Sequence, residues 1–161
     1  MKTSAGILLY RRGASLEVLL VHPGGPFWAR RDAGVWSIPK GELDDDEEPL
    51  PAARREFEEE LGTAPPGDAA ALDLGEITQK SGKRVRVFAF EGDLDTGSIV
   101  SNTFRIEWPP RSGRMRDFPE VDRAGWFGLE EAREKLVSGQ AELLDRLQEA
   151  IDSETGSDSS P

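Results

Sequence analysis

The chain has 161 residues, 37% hydrophobic and 32% charged, with no cysteine and a formal charge of −11. That length suits one domain with a real core. No apolar run approaches the ~20 residues that span a bilayer, the charge disfavours nonspecific binding to nucleic acid or anionic membrane, and the lack of cysteine excludes disulfides and thiolate chemistry.

The opening MKTSAGILLYRR sets a short apolar run between basic residues. It lacks the longer apolar core and small-residue cleavage site of a secretory signal, so it reads as a first strand and leaves the cytoplasm as the default compartment. Residues 5–11 and 16–22 are β-rich runs split by RRGAS and predict neighbouring strands. Residues 23–34, rich in Gly and Pro, predict a loop, and VWSIPKG a short strand ending at Pro39. Residues 48–61 predict a helix, with Asp45 or Asp46 as its cap, Pro49 and Pro51 in the first turn and Gly62 as the stop. TAPPGDAA predicts a loop. Residues 72–79, 84–91 and 103–108 predict strands, PPRSGRMRDFPE a long polar loop, and 124–127 a short strand. Residues 129–137 and 140–151 predict helices broken at SGQ, and DSETGSDSSP (152–161) has nothing to bury and is expected to be disordered. Strands with interspersed helices predict one α/β or α+β domain over residues 1–151, built on a mixed sheet.

Helical geometry places Glu56, Glu59 and Glu60 within about 100° of arc, with Glu58 on the other side and Leu50, Phe57 and Leu61 as a separate apolar stripe. Like charges three or four apart cost about 0.2–0.5 kcal/mol per pair. A solvated acidic face is one reading. A hard cation among the carboxylates is the other, and Mg²⁺ suits an all-oxygen donor set in a chain with no Cys and only His22.

The segment before the helix shifts the balance between them. Gly41, Glu47, Arg55, Glu56, Phe57, Glu59, Glu60 and Gly62 stand at the spacings of G-x5-E-x7-R-E-U-x-E-E-x-G-U, where U is bulky and apolar. This resembles the Nudix box, with Thr63 at the final apolar position. The order of elements is similar to that family's α/β/α sandwich with a central mixed sheet, and WSIPKGE resembles its MutT-like and dinucleoside polyphosphate hydrolase branches. The resemblance implies Mg²⁺- or Mn²⁺-dependent hydrolysis of a nucleoside diphosphate linked to another moiety. It implies Glu56, Glu59, Glu60 and the Gly41 carbonyl as metal ligands, with Arg55 and Glu47 orienting them.

The general base is left open between a box glutamate and a later one, Glu120 in FPEVDRAGWF, with Glu107 a weaker choice. Lys40, Arg84 and Arg86 are candidate phosphate contacts, while Arg30, Arg31, Arg111, Arg114 and Arg116 lie in segments that can steer phosphates. Trp28 and Phe27 offer rings for a base or pack as core or lid, whereas Trp36, Trp108, Trp126 and His22 read as structural. The expected substrate is a small phosphoanhydride, a nucleoside triphosphate or dinucleoside polyphosphate, with diphosphoinositol polyphosphates as the alternative. No membrane or stable nucleic-acid partner is expected, and a homodimer is compatible with the sequence. Two rivals remain: a noncatalytic nucleotide-binding module, which turnover would exclude, and an acidic scaffold, which predicts no stabilisation by metal.

Overall fold

A computed structural model describes residues 3–66 and 71–158. Its centre is β1 (Thr3–Arg12), buried on both faces, which explains why its apolar run is continuous rather than alternating. β2 (Leu16–Pro23) folds back antiparallel on one half of β1's edge, and β3 (Lys40–Glu42) takes the other half, pairing Ala5 with Gly41. β5 (Arg84–Glu91) lies parallel to β1 on its opposite edge, β4 (Leu72–Thr78) pairs with β5, and β8 (Val121–Gly128) closes the far side against β2. The sheet order is therefore β4-β5-β1-β2-β8 with β3 beside β1.

Helices cover both faces. α1 (Pro49–Leu61) packs Ala52, Ala53, Phe57 and Leu61 onto Ala5, Ile7 and Leu9. α2 (Leu129–Lys135) and α3 (Glu142–Asp158) cover the other face, where Ala132, Leu143, Leu144 and Leu147 meet Leu8, Val85 and Val87. This is the α/β/α sandwich on a mixed sheet that the sequence predicts. Among the described residues no helix is long and apolar enough to cross a membrane.

Four expectations need correction. α1 begins at Pro49 with Glu48 as its N-cap and no side-chain cap, so neither Asp45 nor Asp46 serves. Asp46 instead takes a positive φ of 65° in the turn before the helix. The 109–120 segment is not all loop, since Met115–Pro119 forms β7 and pairs antiparallel with β6 (Thr103–Glu107). This ribbon stands apart from the main sheet with β7 mostly exposed, so β7 lacks the apolar alternation that marks a half-buried strand. VWSIPKG is held through isolated bridges, Val21 to Ser37 and Trp36 to Leu136, before β3 begins at Lys40. Finally, α3 continues to Asp158, into the stretch expected to lack structure, while residues 159–161, like 67–70 of the TAPPGDAA loop, lie outside the described residues.

Candidate active site

Gly41 on β3 and Glu56 on α1 meet where the strand lies under the helix. A methyl group on Gly41 would sit 2.0 Å from the Glu56 carboxyl carbon, so only glycine lets that carboxylate lie against the β3 backbone. Gly41→Ala is expected to displace Glu56 and to cost about 10–100-fold in metal affinity and activity, measured by Mg²⁺ titration of turnover, with the fold retained.

Arg55 organises the box. Its Nε and Nη2 donate to the two oxygens of Glu47 at 2.9 Å each, a bidentate pair. Nη1 donates to Glu56 at 2.8 Å and reaches both Glu59 oxygens at 3.4 Å, and Nη2 also donates to the Glu42 carbonyl at 3.2 Å. The Arg55 bonds, with the Asp44 N–H, hold the Glu47 carboxyl down at about 2. Glu56 moves the other way: burial, then the Glu59 charge, raises it against the pull of Arg55.

Glu60 is the extreme case. Burial pushes its carboxyl from the usual 4.5 up to about 8, with Glu56 and Glu120 adding repulsion and Lys40 opposing it. Its Oε2 is buried with no hydrogen-bond partner. Lys40 is half-buried, and its ammonium is pushed down by that burial and by Lys83, while the Glu60, Glu56 and Glu42 charges resist. Glu60, Lys40 and Glu120 line one cleft of about 180 Å³ with Val21, Pro23, Val35 and Ile38.

Glu120 is placed by backbone. Its N–H donates to the Asn102 carbonyl at 2.8 Å, its carbonyl accepts from the Gly24 N–H at 2.9 Å, and the Asn102 N–H donates to the Glu59 carbonyl at 2.9 Å. The α1 C-terminus and the Glu120 turn are thereby tied through a single residue. Gln140, fully buried, performs a similar task on the other wall: its Oε1 accepts from the Ile38 N–H at 3.1 Å and its Nε2 donates to Ser37 Oγ at 3.1 Å. Sequence reasoning missed Asn102 and Gln140, because long-range ties, that of Gln140 spanning 102 residues, leave no local spacing to read.

The structure thus brings together Lys40, Gly41, Arg55, Glu56, Glu59, Glu60 and Glu120. It does not bring Arg84 and Arg86 there. They pair across the β4–β5 hairpin, Arg84 with Glu76 at 3.8 Å and Arg86 with Asp73, and β1 separates them from β3. Trp28 and Phe27 are exposed rather than core: the Arg31 guanidinium lies 5.5 Å over the Trp28 ring, and Phe27 stacks edge-on against Trp108 at 5.3 Å. Trp36 is buried, and Trp126 is half-buried with its indole N–H on the Leu94 carbonyl. His22 is buried between Asp122 at 2.8 Å and the Arg31 carbonyl at 2.7 Å, a structural tie for the 23–34 loop.

The donor set fits a hard divalent cation: carboxylate oxygens, one of them buried and orphaned, beside a glycine that a Cβ would close off. Among the described residues no three acidic or histidine side chains close on one point as they stand. The Arg55 guanidinium lies against Glu56 and Glu59 and supplies the counter-charge there.

Comparison with known proteins agrees with the geometry. A family model described as NUDIX domain matches residues 1–147. An RNA pyrophosphohydrolase of Bartonella henselae is 39% identical, over 81% of this chain and 83% of that protein. Among solved structures, a C. elegans Ap4A hydrolase binary complex superposes with a TM-score of 0.65 at 19% identity, covering 94% of this chain and 99% of the other. The NUDIX domain of Shewanella oneidensis NrtR complexed with ADP ribose gives 0.61 at 17% identity, covering 92% and 87%.

Proposed function

The chain belongs to the Nudix family of hydrolases acting on phosphoanhydrides, and from that premise we propose that it is a cytoplasmic pyrophosphohydrolase that cleaves a nucleoside triphosphate or dinucleoside polyphosphate by water attack on phosphorus. The observation that carries this reading is the buried, unpartnered Glu60 oxygen beside Lys40 and Glu120 in one cleft. Glu56, Glu59, Glu60 and the Gly41 carbonyl would hold the cation, taken as Mg²⁺ or Mn²⁺. When bound, it neutralises polyphosphate charge and lowers the pKa of water.

The chain's own residues supply the rest. Arg55 and Glu47 fix the direction of the box carboxylates. Lys40, with its ammonium at the cleft, meets a phosphate oxygen. Glu120 is held at its backbone on both sides and leaves its carboxylate free to take the proton of the attacking water. Arg84 and Arg86 lie on the β4–β5 hairpin, across β1 from this step, and Trp28 lies on the exposed 23–34 loop.

The name of the 39% identical relative favours a second reading, the 5′-triphosphate end of an RNA, whose reacting group is chemically the same. A substrate panel with added Mg²⁺ and product identification tests both. It holds canonical and oxidised nucleoside triphosphates, dinucleoside polyphosphates, ADP-ribose, diphosphoinositol polyphosphates and a 5′-triphosphorylated oligonucleotide, with Glu60→Gln as control. Selective turnover by the parent protein is expected. Nucleotide binding without turnover of any member would leave a binding module instead.

A further inference from the structure

The β6–β7 ribbon has no role in the step above, yet it is joined to the cleft. β7 runs directly into Glu120, and the loop that packs on the ribbon starts at Pro23 and ends at Val35, both lining the cleft. At about 3.3 Å per residue, the ribbon tip at Arg114 lies about 20 Å from Glu120.

The register gives the ribbon one aromatic and basic face. Phe104, Ile106 and Trp108 stand opposite Phe118, Arg116 and Arg114, and the Arg116 guanidinium lies 5.4 Å over the Phe118 ring. The 23–34 loop packs on part of this face, with Gly25 against the Phe104 ring and Phe27 against Trp108, and leaves the Phe27 ring exposed at its edge. Residues 23–34 and 103–119 together hold six arginines and three acids, whereas the whole chain holds 20 basic and 31 acidic residues. The guanidinium groups of Arg30, Arg111 and Arg114 form no ion pair or hydrogen bond among the described residues. The basic character of this surface is therefore not cancelled locally.

We propose that this surface holds the single-stranded polynucleotide that follows a 5′-polyphosphate bound in the cleft. The proposal rests on the phosphoanhydride reading of that cleft. A free mononucleotide would end near Glu120 and use none of the ribbon. A strand alternates phosphates with flat bases, and unpaired arginines beside the exposed Phe27 ring and the half-buried rings of the ribbon complement both in a sequence-tolerant way. The acidic remainder of the protein repels a polyanion and confines the strand to this path.

The test uses the full chain and the double variant Arg111→Ala/Arg114→Ala, neither residue being in the catalytic machinery. With Mg²⁺, kcat/KM on a 5′-triphosphorylated ten-nucleotide RNA is expected to fall about tenfold, with ATP turnover within twofold of the parent. Binding of a 5′-hydroxyl RNA of the same sequence, followed by fluorescence anisotropy, should lose about 1.4 from its log–log salt slope, two phosphate contacts at about 0.7 each. Single-stranded DNA should bind like RNA, since no 2′-hydroxyl contact enters the argument. Equal losses on ATP and RNA, unchanged RNA kinetics, or a preference for duplex would overturn the proposal. If the parent hydrolyses nothing, the phosphoanhydride reading fails. Strand binding weakened by the two substitutions would still support the surface, and no strand binding would overturn it.

Discussion

Glu60→Gln is expected to lower kcat by about 10³-fold or more while leaving the protein folded. The substitution keeps the shape of a half-buried side chain whose Oε2 is buried on the α1 face of the cleft, so the packing around it is retained. It removes the negative charge whose second oxygen has no partner in the fold. A buried carboxylate with one oxygen left unbonded is costly, and its retention makes sense where a cation completes it. Losing one of the carboxylates proposed to hold that cation would remove several kcal/mol of charge stabilisation in the transition state, and about 4 kcal/mol corresponds to 10³-fold. Glu59→Gln should behave similarly, although Glu59 is more exposed and shared with Arg55. Arg86→Gln serves as the contrast: its partner is Asp73 on the β4–β5 hairpin, and turnover should stay within about twofold. Steady-state kinetics with circular dichroism on the same samples separates lost chemistry from lost fold. Near-normal turnover in both glutamine variants would sink the metal assignment.

The box was legible because its chemistry is local. Arg55, Glu56, Glu59 and Glu60 share one helix, and helical periodicity alone fixes their common side. Gly41 and Glu47 lie within fifteen residues of Arg55, so their meeting also follows from a short loop and one turn of strand. Glu120 was legible only as a later glutamate. What brings it to Glu60 is the Asn102 tie and the β2–β8 pairing, both long-range. Arg84 and Arg86 show the converse failure. Their alternation on a strand was read correctly, but periodicity does not say which edge of the sheet the strand occupies or which acids wait on its neighbour. β7 was missed because a strand exposed along most of its length carries little apolar alternation. The ribbon's role as a surface depends on cross-strand register, which no single strand's sequence discloses.

The metal-free protein is expected to lose stability as pH rises from about 4.5 to about 8. Glu60 has its folded carboxyl at about 8 against the usual 4.5. Below 4.5 the group is protonated in both states and contributes no pH dependence. Between the two values the unfolded chain releases its proton while the fold retains it, so unfolding is progressively favoured. Above about 8 the fold holds a buried anion, and the full gap corresponds to about 5 kcal/mol. Glu56, raised by burial and by Glu59, acts in the same direction. Glu47, held at about 2 by Arg55, acts oppositely, but its stability is lost only as pH falls from 4.5 through about 2, below the window in question. Chemical denaturation between pH 5 and 8.5 in the presence of a chelator should therefore show a falling midpoint. Glu60→Gln should flatten that fall and be more stable than the parent at pH 8 by about 2 kcal/mol, the buried amide's unmet hydrogen bonds offsetting part of the gain. Millimolar Mg²⁺ should restore the parent at pH 8 and leave the variant nearly unmoved, since only a fold that binds the ion gains from it. A flat midpoint across this range in the metal-free parent would show that the crowded carboxylates are not under the strain from which the cation site is inferred.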